Sequence, residues 1–137
     1  MLAIGDVLLA AAVGTDGSLR ATTIHPATRT VDAPVEVDPS VAIDTFGPVG
    51  LGRAGQNFVP LGVDKQGVLR AATRVVAGGA WTPLQPVLSA IPLSPFGGVT
   101  AVSIDIGMMA IVVGVDGVVC SSVSLDGLIW PPLVPLP

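Results

Sequence analysis

Three glycines spaced fifty residues apart, Gly17, Gly67 and Gly117, mark an internal repeat that fills almost the whole chain. Gly14-Thr15-Asp16-Gly17-Ser18-Leu19-Arg20-Ala21-Thr22-Thr23 aligns with Gly62-Val63-Asp64-Lys65-Gln66-Gly67-Val68-Leu69-Arg70-Ala71-Ala72-Thr73 and with Gly114-Val115-Asp116-Gly117-Val118-Val119-Cys120-Ser121-Ser122-Val123. In this alignment Asp16, Asp64 and Asp116 correspond, and the second copy carries two extra turn residues. Downstream, Val31-Asp32-Ala33-Pro34 matches Trp81-Thr82-Pro83-Leu84 and Trp130-Pro131-Pro132-Leu133; upstream, Phe46-Gly47-Pro48 matches Phe96-Gly97-Gly98. A period of this size builds a fold from stacked supersecondary units, each burying its apolar face on the next. The units are placed at 1–45, 46–95 and 96–137 of a single repeat domain.

Each unit holds four strand candidates, in the third copy Val99–Asp105, Met109–Val115, Val118–Ser124 and Leu128–Val134. Asp16-Gly17 and Asp116-Gly117 join the second to the third, because both residues of a two-residue hairpin turn accept positive φ. The second strand is a continuous apolar run (Val7–Val13, Phe58–Val63, Met109–Val115), as expected of a strand covered on both faces. The third alternates, Leu19, Ala21 and Thr23 against Arg20, Thr22 and Ile24. The fourth is rich in Pro and belongs at a sheet edge. Helix is excluded by supply: one Lys and one Glu stand against 17 Gly and 13 Pro, so no wet helical face can be written. The chain is all-β.

Four antiparallel strands per unit with a Pro-rich edge describe a β-propeller blade. The run Val13-Gly14-Thr15-Asp16-Gly17-Ser18-Leu19, with Trp81-Thr82-Pro83-Leu84 and Trp130-Pro131-Pro132-Leu133 in the later copies, resembles the blades of tectonin-like and fucose-binding lectin propellers. The resemblance implies a carbohydrate-binding module, with sugar platforms at blade edges. Closed propellers have 4–8 blades, so three leave two apolar faces open. Three outcomes follow: a homo-oligomer, most simply a dimer of six blades; an excised or engineered fragment of a longer propeller; or a different closed shape such as a three-fold prism.

Candidate sites follow from the repeat. Trp81 and Trp130 stand at equivalent positions, where the resemblance implies sugar platforms and packing physics offers plugs between blades. Arg20 and Arg70 are equivalent, with Cys120 in the third copy; a recurring guanidinium suits a carboxylate or a hydroxyl pair, or an Asp of the next blade. These four are the expected ligand-binding residues. No catalytic or metal site is expected: His25 is the lone His and Cys120 the lone Cys, against the three or four ligands a metal needs. Gly50-Leu51-Gly52-Arg53-Ala54-Gly55 spells a dinucleotide fingerprint, but Gln56-Asn57-Phe58-Val59-Pro60 cannot open the helix that motif requires, so no cofactor is expected. The five Arg are scattered over a chain of net charge −4, which argues against nucleic acid. No apolar stretch reaches the ~20 residues of a membrane span, and the apolar start is expected to belong to the first repeat. The expected function is a non-enzymatic, lectin-like binding module acting as an oligomer; the alternative is a self-assembling scaffold or engineered propeller fragment without a small-molecule ligand.

Overall fold

Gly- and Pro-punctuated apolar runs fold as antiparallel strands in the computed structural model, which describes residues 1–45, 47–94 and 96–137. No helix occurs among them. Five strands form sheet 1: β1 (Leu2–Ile4), β2 (Val7–Val13), β3 (Leu19–His25), β4 (Thr30–Val31) and β5 (Val35–Glu36). They run β1-β2-β3, with β4 and β5 pairing the two ends of β3. Sheet 2 contains β6 (Gly50–Ala54), β7 (Asn57–Val63), β8 (Leu69–Ala71), β9 (Arg74–Val75) and β10 (Gln85–Val87). Here β8 and β9 both pair β7, and β10 pairs β8. Sheet 3 runs β11 (Val99–Ile104), β12 (Gly107–Val113), β13 (Val119–Ser124), β14 (Val134–Pro135). The second strands β2, β7 and β12 lie fifty residues apart at both ends. The repeat junctions expected at 45/46 and 95/96 involve Phe46 and Pro95, which are outside the described residues, as is the Phe46 match.

The turn alignment needs correction. Three matching backbone bonds, Gly14 N–H to Ser18 O, Asp64 N–H to Val68 O and Gly114 N–H to Val118 O, make Asp64 the counterpart of Gly14 and Gly114. The second copy therefore carries no extra turn residues, and Gln66 stands where Asp16 and Asp116 do. Gly62 misled the alignment because it is not a turn glycine. It lies in β7, where an added Cβ would come within 2.8 Å of the Ile43 side chain. Nor are these two-residue turns with two positive φ angles. Within each of these turns one residue alone has positive φ, Gly17, Gly67 or Gly117, at 82°, 79° and 83°, each closing a turn back to the residue three before it. The expected fourth strand at Leu128–Val134 shrinks to Val134–Pro135, since Pro131 and Pro132 have no N–H to give.

A second departure is the split of β8 from β9. Ladder pairs Leu61↔Ala71 and Phe58↔Arg74 place Pro60 opposite Ala72. Pro60 O accepts the Ala72 N–H at 3.3 Å, but its ring nitrogen returns no hydrogen. Sheets 1 and 3 have Ala10 and Ala110 at this place and keep an unbroken ladder.

Side-chain alternation divides each sheet into two faces. From sheet 1, odd positions such as Leu9, Leu19 and Ala21 pack on even positions of sheet 2, Phe58 and Ala72. From sheet 2, odd positions Val59, Leu61, Leu69 and Ala71 pack on even positions of sheet 3, Met108, Ala110, Val112 and Cys120. Sheet 2 is thus covered on both faces, and β7 is buried at every position after Asn57. Linkers stitch the two seams alike. Ile43 N–H bonds Gly17 O and Asp44 N–H bonds Val63 O; fifty residues on, Leu93 N–H bonds Gly67 O and Ser94 N–H bonds Val113 O.

Candidate binding site

At each turn between the second and third strands, a carboxylate holds the loop. Asp16 Oδ1 accepts the Ser18 N–H (3.0 Å) and hydroxyl (2.6 Å), while Oδ2 pairs with Arg20 Nη2 at 3.1 Å. In the second copy Asp64 Oδ1 accepts the Gln66 and Val68 N–H groups at 2.9 and 3.0 Å, and Oδ2 pairs with Arg70 Nε at 2.9 Å. The same work is done from two backbone positions. An added Cβ at Gly14 would lie 2.7 Å from Asp16 Oδ1, so both positions feed one space. Gly14→Asp alone is therefore expected to destabilise, and Gly14→Asp with Asp16→Gln to recover much of the loss. A double-mutant cycle by denaturant unfolding should give a favourable coupling of about 1–2 kcal/mol; additive losses would show that the two carboxylates do not share a site.

Arg20 and Arg70 occupy one register, opposite Glu36 and Pro86, with Cys120 opposite Pro135. Their surroundings differ. Arg20 and Asp16 are about half exposed, at 49% and 59% of their side chains, whereas Asp64 is buried and Arg70 is 26% exposed. Arg70 lines a shallow cavity of about 250 Å³ at the seam of sheets 1 and 2, with Asp64, Lys65 and Gln66 from its own turn and Ser40, Val41 and Ala42 from the linker.

Asp38 holds that linker in place and was not singled out by sequence. Its Oδ1 accepts the Ser40 N–H (2.9 Å) and hydroxyl (2.6 Å), and its Oδ2 accepts the Leu84 N–H at 2.9 Å. The signal was present in Asp38-Pro39-Ser40, a side chain–backbone turn pattern. The Ser40 hydroxyl, then the Leu84 and Ser40 N–H groups and the charge of Arg70, hold the Asp38 carboxyl below the usual range against the opposing effect of burial. Ser18 does so for Asp16, and the Ile129 and Leu128 N–H groups for Asp126. Carboxyls depressed by folding stabilise above their unfolded pKa, near ~3.9. That contribution is lost as pH falls through the folded values. Melting temperature is expected to hold above about pH 4 and drop below it, and Asp38→Asn should flatten the drop; an unchanged profile in the variant would remove Asp38 from the cause.

Trp81 is not at this cavity. It is half-buried against the core between sheets 1 and 2, its ring stacked by the Arg74 guanidinium at 5.1 Å. Arg74 also lies 5.9 Å from the Phe58 ring centroid and donates to Thr23 Oγ1 across the seam at 3.0 Å. Arg70 and Arg74 are four residues apart along one strand line, roughly 13 Å, so Trp81 and Arg70 serve opposite ends of sheet 2. Trp130 is half-buried on the core between sheets 2 and 3, its indole N–H donating to Gly127 O at 2.9 Å. Arg74 was missed because Ile24 and Ser124 stand in its place elsewhere. His25 Nε2 lies 3.0 Å from Asp32 Oδ2 at the surface, Cys120 is buried, and Gly50–Ala54 is strand β6. No group of three His, Cys, Asp or Glu side chains able to hold a metal ion occurs among the described residues, and no helix is long and apolar enough to cross a membrane. No protein-family model matches the chain, and a search of the curated proteins gives no significant match.

Proposed function

We propose that the chain is a non-enzymatic binding module of three β-propeller blades, its ring completed by further copies, which takes carbohydrate hydroxyls at the cavity beside Arg70. The observation that carries this reading is the pairing of Arg70 Nε with buried Asp64 at a seam cavity. The pair locks the guanidinium plane, while its remaining N–H groups, the Gln66 amide and the Ser40 hydroxyl supply donors and acceptors for adjacent hydroxyls. Val41 and Ala42 give a small apolar floor. Arg20, the equivalent side chain at the open face of sheet 1, gains a second wall only in an assembled ring. The tryptophans, on this reading, seal seams rather than stack sugars.

The scaffold alternative is favoured by one observation, that Trp81 and Trp130 both pack on inter-sheet cores. Glycan-array binding followed by titration calorimetry separates the two. A monosaccharide is expected to bind, and Gln66→Ala to weaken it about tenfold, one hydrogen bond's worth, with unchanged melting. A blank array, or binding indifferent to Gln66→Ala and Arg70→Lys, would discard this site and leave the scaffold.

A further inference from the structure

Both outer faces of the stack are the counterparts of faces that are covered inside it. In β12 and β13, sheet 3 turns its odd positions outward, and these are equivalent to the odd positions that sheets 1 and 2 bury. Leu19 and Leu69 are 0% exposed, yet their equivalent Val119 is 39% exposed. An added Cβ at Gly17 or Gly67 would meet a linker carbonyl at 3.0 Å, whereas at Gly117 nothing lies within 4 Å. In β2 and β3, sheet 1 turns its even positions outward. Phe58 and Met108 at those positions are fully buried, and their equivalent Leu8 is only partly so.

We propose that the open face of sheet 3 docks on the open face of sheet 1 of a second copy of this chain, head to tail, as sheet 1 packs on sheet 2 and sheet 2 on sheet 3. The proposal rests on the blade reading above and adds which faces meet.

Side-chain bulk supports this occupant. In the buried cluster between sheets 2 and 3, large Leu61 lies with small Ala110, and between sheets 1 and 2 small Ala11 packs on the cluster that holds Phe58. The outer faces continue the rule, with Ile111 on sheet 3 and Ala10 on sheet 1. Sheet 1 also carries an open, largely apolar groove of about 270 Å³ bounded by Ala12, Thr22 and Pro34, a receptor for the Val113 and Val119 side chains. Two sheet 3 faces meeting each other would set the Met109, Ile111 and Val113 row of one copy against the same row of the other. Two sheet 1 faces would meet small against small along Ala10 and Ala12 and enclose two Arg20 side chains in one contact. The contact is therefore heterologous, and such contacts end in a closed ring or an open filament. A dimer of six sheets is the smallest ring.

The test uses the chain with Cys120→Ser and one added cysteine, either Ala12→Cys or Val113→Cys. Packed sheets lie ~10 Å apart, within the span of a short bismaleimide. The parent should weigh twice 13.7 kDa, or a larger whole multiple, by light scattering at micromolar concentration. Mixing the two cysteine variants should give a cross-linked pair that neither variant forms alone. Ile111→Asp should return the mass to 13.7 kDa with its β-type circular dichroism retained. A monomeric parent would overturn the ring and this docking together. An oligomer in which Val113→Cys links to itself, or in which the mixed pair does not form, would overturn the docking alone and leave the ring standing; the cross-links decide even if Ile111→Asp fails to fold.

Discussion

Phe58→Ala is expected to lower the unfolding free energy by about 3–5 kcal/mol, the range for a buried aromatic truncation that leaves a cavity. The melting temperature should fall by roughly 10–20 °C. Phe58 is fully buried in β7 and faces sheet 1, so its loss opens the seam between the two sheets. It also uncovers Arg74, whose guanidinium lies between the Phe58 and Trp81 rings and whose Nε is already buried without a hydrogen-bond partner. Leu8→Ala removes a side chain at the equivalent position on the open face of sheet 1, and in the isolated chain should cost about 1 kcal/mol or less. Differential scanning calorimetry of both changes in the monomeric Ile111→Asp background checks the contrast. Equal, small shifts would mean that sheet 1 does not cover Phe58.

The fold was legible where one physical requirement dictated several residues at once. A strand covered on both faces must be apolar throughout, and β7 reads so and is buried so. A strand between core and seam must alternate, as buried Leu19 and Ala21 around exposed Arg20 do. Single-residue events were not legible. Asp64 takes over from position 16 because a carboxylate reaching the same space from either backbone site satisfies the same N–H groups, and one-dimensional alignment cannot see a shared space. Pro60 sits inside a central strand because only one ladder bond is lost there, with Ala72 still donating to it. The tryptophan positions were found from the repeat, but their surroundings depend on the neighbouring sheet: Arg74 for Trp81, the Gly127 carbonyl for Trp130. Arg20 and Arg70 share a register and a local partner, yet only Arg70 has a second sheet beside it. Pattern gives the position within a unit; a side chain's surroundings depend on what the next unit brings.

Gly107→Ala is expected to be as damaging for the opposite reason, crowding instead of a void. Gly107 has φ of +154°, and an added Cβ would collide with Ser124 O and meet Leu125 Cα at 2.8 Å. Both are backbone atoms, so no rotamer change relieves the contact. Val7 and Asn57 occupy the equivalent positions with full side chains, so the restriction is peculiar to sheet 3. Its cause is the segment after β13, one residue shorter than its counterpart before Trp81. There Gly127 N–H donates to Ser124 Oγ, the Ser124 hydroxyl donates to Ile129 O, and Asp126 Oδ1 accepts the Leu128 and Ile129 N–H groups. These bonds pin Leu125 over Gly107 and end the ladder at Met108↔Ser124. Backbone strain and overpacking together put the cost at about 2–5 kcal/mol. Gly55→Ala supplies the comparison: its φ is +59°, but nothing lies within 4 Å of the added Cβ. That change should cost only about 1–2 kcal/mol, the left-handed penalty alone. Denaturant unfolding of the pair measures the difference, and equal costs would show that the loop after β13 does not press on Gly107.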